Sequence, residues 1–220
     1  MHFKTRVKIC CISSVQEAHS AIAVGASALG LVGEMPSGPG TISDPLIQEI
    51  ALAVPPPVAT FLLTSRTTAE AVVAHHQLVQ TNTIQLVDAI DPDVFAAIRE
   101  ALPGVKLVQV VHVQDERSVE EAQQAATYAD AILLDSGNPK LKVKELGGTG
   151  RIHDWVLSRR IRESIRKPLF LAGGLTPENV REAIEVVQPF GVDVCSGVRT
   201  AGLLDQYKLE KFMRAVEKGS

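Results

Sequence analysis

The chain carries no excess charge of either sign. Lys and Arg total 22 against 25 Asp and Glu, a formal net charge of −3 over 220 residues. That balance excludes a general nucleic-acid binder, which needs a basic face for the phosphate backbone. No apolar run approaches the roughly 18 residues that cross a bilayer, so no membrane span is expected. The first residues run into a strand-like segment without the apolar stretch of a secretory leader, and a cytoplasmic location is expected. Cysteine is scarce: there are three, an odd count that suits reduced thiols better than a disulfide framework. Cys-x-x-Cys and His-x-x-His spacings are both missing, so no metal site is expected. What is left is an ordinary globular composition, 45% hydrophobic and 21% charged. A chain this long buries about 70% of its unfolded surface and needs no staple.

What the sequence does have is alternation. Short apolar or β-branched runs at 6–12, 28–32, 58–63, 83–87, 106–113, 131–134, 169–172 and 192–195 each precede a helical pattern. Ser14, Asp91 and Thr176 stand where N-caps are wanted, and Ser118 with Glu121 has capping-box spacing. A short helix is expected over 197–204. Repeated βα units imply a parallel sheet, and eight of them predict a closed α/β (β/α)8 TIM barrel, a single domain over 1–220. A doubly wound open sheet is the alternative.

In such a barrel the chemistry lies where strands end. In the first strand Lys8 and Cys10 share one face at period two. A lysine does not suit the layer between sheet and helices, so that face is the lumen. Cys10 then sits beside a cation that favours its thiolate, as a base or nucleophile; Cys11 faces away and reads as a small buried hydrophobe. Asp135 closes the sixth strand ahead of a long loop, with no helix start to cap, and reads as a general acid. Gly147–Gly150, Gly173, Gly174 and the pair Ser196-Gly197 let backbone N–H groups approach a ligand. Those after strands seven and eight stand where barrels hold phosphate. Asp193, inside the last strand, needs a partner or a task. His112 reads as a satisfied core histidine, His75 and His76 as surface residues. Arg66 and Arg199, each just after a strand, could meet an anion.

Taken in order, Lys8-Ile9-Cys10, Leu133-Leu134-Asp135-Ser136, Gly147-Gly148-Thr149-Gly150 with His153-Asp154-Trp155, Leu171 to Val180 and Gly191 to Val198 resemble the phosphoribosylanthranilate isomerase family over nearly the whole chain. The resemblance implies a cofactor-free Amadori rearrangement of a phosphorylated sugar. It implies Cys10 as general base, Asp135 as general acid, and Gly173, Gly174, Ser196 and Gly197 as phosphate ligands. Asp193 is implied as a substrate contact, and Lys8 is placed with the substrate-binding group.

Four positions depart from the family pattern. Cys11 replaces a glycine, so the first loop is expected to be reshaped. The second loop, Pro36-Ser37-Gly38-Pro39-Gly40, lacks the arginine that holds the anthranilate carboxylate. Gln85-Leu86-Val87-Asp88 stands for Gln-Leu-His-Gly, and Arg199 for a glutamate. A charge-assisted contact to a carboxylate contributes about 1.5–3 kcal/mol, so Arg66 or Arg199 is expected to replace the missing arginine as a substrate-binding residue. Two other readings stay open: an isomerase of a different phosphorylated sugar, and a non-catalytic phosphate-ligand barrel. Helix surfaces of such barrels read alike, which leaves a homodimer open.

Overall fold

The computed structural model describes residues 4–137 and 153–219. Eight parallel strands close into a barrel in chain order: β1 (Arg6–Ile9), β2 (Ala28–Val32), β3 (Ala59–Thr64), β4 (Thr83–Leu86), β5 (Lys106–His112), β6 (Ala131–Asp135), β7 (Leu169–Leu171) and β8 (Gly191–Val194). β8 pairs with β1 through Lys8 opposite Asp193, which closes the ring and excludes the open sheet. The helices are α1 (Val15–Ala23), α2 (Asp44–Ala53), α3 (Ala69–Val79), α4 (Pro92–Ala101), α5 (Arg117–Tyr128), α6 (Trp155–Ser164), α7 (Val180–Val187) and α8 (Gln206–Gly219). Among the described residues no helix is long and apolar enough to cross a membrane. The loop containing Gly147–Gly150 lies outside the described residues.

Strand alternation divides the core in two. Ile9, Leu29, Leu62, Ile84, Ile132 and Leu171 point outward and are buried against the helices. Ala28, Phe61, Val108, Leu133 and Phe170 point inward and fill the lumen. Fully burying such a side chain contributes about 1.5–3 kcal/mol. The loops are therefore set on a rigid ring.

Helix starts follow local chemistry in part. Ser14 Oγ accepts from the Glu17 N–H at 3.1 Å and caps α1. Asp154 Oδ1 accepts from Val156 N at 2.8 Å and Leu157 N at 3.2 Å and caps α6. Such caps contribute about 1 kcal/mol each. Ser118 does not cap α5: it lies inside the helix, fully buried, accepting from Gln114 N. The turn before it is held instead by Asp115 Oδ1, which accepts from Arg117 N at 2.9 Å. The helix expected over 197–204 is a single 3-10 turn, Ser196–Val198, followed by a hairpin of β9 (Arg199–Thr200) and β10 (Leu203–Leu204). Ala201 and Gly202 take φ of 50° and 81°, left-handed values that reverse a chain rather than extend a helix. His75 and His76 are buried, not surface residues. His75 bridges Thr64 Oγ1 and Asp44 Oδ1, and His76 Nε2 lies 2.6 Å from Thr81 O, so both rings gain partners for the water they lose.

Candidate active site

A cavity opens at the strand C-termini. Its lining includes Cys10, Gln85, Asp135, Gly173, Gly174, Asp193 and Ser196, with Val32, Met35, Leu63 and Val87 among the apolar residues. Cys10 directly follows β1, and Asp135 ends β6. The glycine-rich segments follow β7 and β8. In a ring closed in chain order, β6 and β1 are the two strands that flank β7 and β8. The two candidate catalytic groups therefore stand symmetrically on either side of the candidate phosphate site.

Beneath the cavity lies an ion pair. Lys8, fully buried, donates from Nζ to Asp193 Oδ2 at 2.9 Å and lies 5.3 Å over the Phe61 ring. Burial alone would lower the ammonium, but Asp193 and the Cys10 thiol outweigh it and hold Lys8 above its ordinary value. Lys8 is absent from the lining residues, one inward layer below the mouth. Its ammonium is directed at the Asp193 carboxylate. A Cβ at Gly30 would come within 2.7 Å of Cys10 Sγ and 3.0 Å of Lys8 Nζ, so only glycine on β2 leaves these two groups their room.

Burial works against the expected thiolate. Burial pushes the Cys10 thiol up to about 11, against the pull of Lys8, and Asp193 adds to the rise. Desolvation wins because Lys8 is already neutralised by its carboxylate. Asp135 moves in the direction its candidate role needs. Burial, with the like charge of Asp193, pushes its carboxyl up to about 6, opposed by the Ser136 N–H at 2.7 Å and by Lys8.

The two phosphate-candidate loops touch. A Cβ at Gly197 would fall 2.0 Å from Leu175 O, so the backbone after β8 lies directly on the backbone after β7. Gly173 and Gly174 have φ of 83° and 65°. Successive backbone groups are thus turned in a way that side-chain-bearing residues resist.

Cys11 and Cys195 are joined by a disulfide across the β1–β8 seam, with Cα atoms 5.9 Å apart and 184 residues of chain between them. This corrects two expectations, since Cys11 is not an inert hydrophobe and not all three thiols are reduced. Cys10 is the free cysteine. Cys11 itself takes φ 62°, the left-handed region usual for glycine, so the backbone keeps a glycine-like turn here and the new side chain is spent on the bridge.

Neither candidate arginine lines the cavity. Arg199 points back into the protein. Its two terminal nitrogens donate to both Glu17 carboxylate oxygens at 3.1 Å, to Cys11 O at 2.5 Å, Cys10 O at 3.3 Å and Gly202 O at 3.0 Å. Glu17 completes the knot by accepting from Ser13 N and Leu204 N. Arg199 thus holds the backbone that carries Cys10, and its terminal donors are committed. Arg66 donates to Ala71 O at 3.2 Å, at the start of α3. His112 is buried, with Nε2 3.3 Å from Val87 O and Nδ1 unpartnered.

Two polar atoms in the cavity wall stand out. Gln85 Oε1 and Asp193 Oδ1 are buried without a hydrogen-bond partner. The sequence signal for Gln85 is its period-two spacing from Val87, which puts both on the inward face of β4.

The model of the family described as N-(5'phosphoribosyl)anthranilate (PRA) isomerase matches residues 7–215. An N-(5'-phosphoribosyl)anthranilate isomerase of Methanocella arvoryzae is 38% identical over 194 residues, 88% of this chain and 89% of its own. A structure of monomers made from the dimeric phosphoribosylanthranilate isomerase of Thermotoga maritima superposes with a TM-score of 0.79 at 31% identity, covering 96% of this chain and 98% of that one. A phosphoribosylanthranilate isomerase in complex with reduced 1-(o-carboxyphenylamino)-1-deoxyribulose 5-phosphate superposes at 0.77 with 31% identity and the same coverage.

Proposed function

The chain belongs to the N-(5'-phosphoribosyl)anthranilate isomerase family, and from that premise we propose that it catalyses the rearrangement of N-(5-phosphoribosyl)anthranilate to the 1-deoxyribulose 5-phosphate aminoketose. The observation that carries this reading is the placement of Cys10, just after β1, and Asp135, at the end of β6, on either side of the glycine-rich segments that follow β7 and β8. A sugar phosphate anchored there through Gly173, Gly174, Ser196 and Gly197 offers one edge of its ring to each group. Asp135, with its carboxyl raised to about 6, gives a proton to the ring oxygen. The C1–O bond breaks, and the nitrogen lone pair closes a C1=N iminium. Cys10 then takes the C2 proton, and the C2–H electron pair becomes the C1=C2 bond as the nitrogen regains its lone pair. Tautomerisation of this enolamine, with a proton returned to C1, gives the ketone. The iminium cation formed in the first half is what lowers the Cys10 thiol from its resting value of about 11, since a neighbouring positive charge favours thiolate. The base is therefore generated when it is needed.

Asp193, held by Lys8, is read as the contact to the sugar hydroxyls. A single barrel domain, a phosphorylated sugar as partner and a cytoplasmic location belong to the same reading. So does a homodimer, since the Thermotoga maritima relative is named as dimeric. The test is to make phosphoribosylanthranilate in situ and follow its loss on adding protein, with Cys10→Ala and Asp135→Asn beside it. Turnover abolished by both substitutions supports the reading. Folded protein without turnover, whose melting point phosphate still raises, would move it to a different phosphorylated sugar.

A further inference from the structure

Gln85 lines the reaction cavity at 3% exposure, and its Oε1 has no donor to accept from. A buried carbonyl oxygen left unpaired costs free energy, and native proteins keep such atoms mainly where a ligand or water completes them. Its position says which part of a ligand that is. β4 stands across the ring from the β7–β8 seam. A substrate whose phosphate lies over that seam, and whose ring edges meet β1 and β6, directs C1 and its nitrogen toward β3 and β4. β3 offers the apolar Leu63 at that level, paired in register with Gln85.

We propose that Gln85 is a further catalytic residue, whose Oε1 accepts a hydrogen bond from the N–H on C1 of the substrate. The inference rests on the isomerase reading above. The N–H is a modest donor in the starting amine and a strong one in the iminium. The contact therefore tightens as the reaction proceeds and acts on kcat more than on KM. Asp193 Oδ1, the other unpartnered acceptor, is left for the sugar hydroxyls.

Gln85→Met keeps length and removes the acceptor. It is expected to lower kcat about 10- to 100-fold, as the loss of a partner for a charged donor does, with KM within about threefold. Competitive inhibition by inorganic phosphate should be unchanged, and the melting midpoint should hold or rise, because an unsatisfied buried oxygen is gone. Gln85→Glu, which retains an acceptor oxygen, should exceed Gln85→Met in kcat. A Gln85→Met kcat within twofold of the parent, a midpoint that falls in step with activity, or a Glu variant no better than Met would each overturn the inference. Failure of the parent protein itself to turn over the substrate would sink the isomerase reading and this inference with it; a working parent with an indifferent Gln85→Met variant sinks the inference alone.

Discussion

Replacing Lys8 by Met tests the electrostatic foundation of the site. The ammonium is fully buried and 2.9 Å from Asp193 Oδ2. Met has a similar volume, so packing is nearly conserved and the change is one of charge. Asp193 would be left buried with neither of its oxygens paired to the ammonium. Breaking a buried pair from one side costs about 3–5 kcal/mol. In a domain of this size each kcal/mol lowers Tm by about 2–4 °C, so a fall on the order of 6–20 °C is expected at pH 8. The sign with pH follows from the survivor. Without Lys8 the folded-state pKa of Asp193 lies above its unfolded value, so the folded state binds the extra proton. The destabilisation is complete above the folded pKa and fades toward the unfolded value near 4. The deficit in Tm should therefore shrink as pH is lowered from 8 to 4. The double variant Lys8→Met with Asp193→Leu removes both charges and should recover most of the loss. Scanning calorimetry of the parent, single and double variants over that range is the assay. A Lys8→Met deficit below about 2 °C, or one that is flat with pH, would refute the charge argument.

Asp135→Asn should abolish turnover yet stabilise the fold. The Asp135 carboxyl titrates at about 6 in the folded state. Relative to its unfolded value of about 4, its ionisation opposes folding by about 3 kcal/mol above pH 6 and by nothing below pH 4. Urea titrations at pH 8 and pH 4 should show the gain at the first and not at the second; equal gains would contradict it. Thiol titration in denaturant should count one cysteine before reduction and three after, because Cys11 and Cys195 are paired. Three before reduction would rule the bridge out of the protein as isolated. Arg199→Met removes the donors to Glu17 and to the Cys10 and Cys11 carbonyls. It should cost about 1.5–3 kcal/mol of stability and reduce turnover without affecting inhibition by phosphate; unchanged turnover would show that Cys10 is held without it.

Alternation of apolar runs with helical patterns was enough to derive the barrel, because strand period and helix period are local and each unit repeats them. The lumen face followed too: a lysine at position 8 can point only one way, and Cys10, Gln85, Asp135 and Asp193 take their direction from the same count of two. What no local pattern carries is which distant groups come to share a volume. Cys11 and Cys195 meet because ring closure brings β8 beside β1, across 184 residues of chain. Arg199 stands just after a strand, where an anion could be met, but the fold turns its guanidinium onto Glu17. The protonation of Cys10 depended on a contest between desolvation and Lys8, and only the closed barrel, which buries both and neutralises the lysine with Asp193, determines the winner. Residue type and period decided the fold and which side chains face the lumen; through-space closure decided which groups those side chains meet and how far burial shifts them.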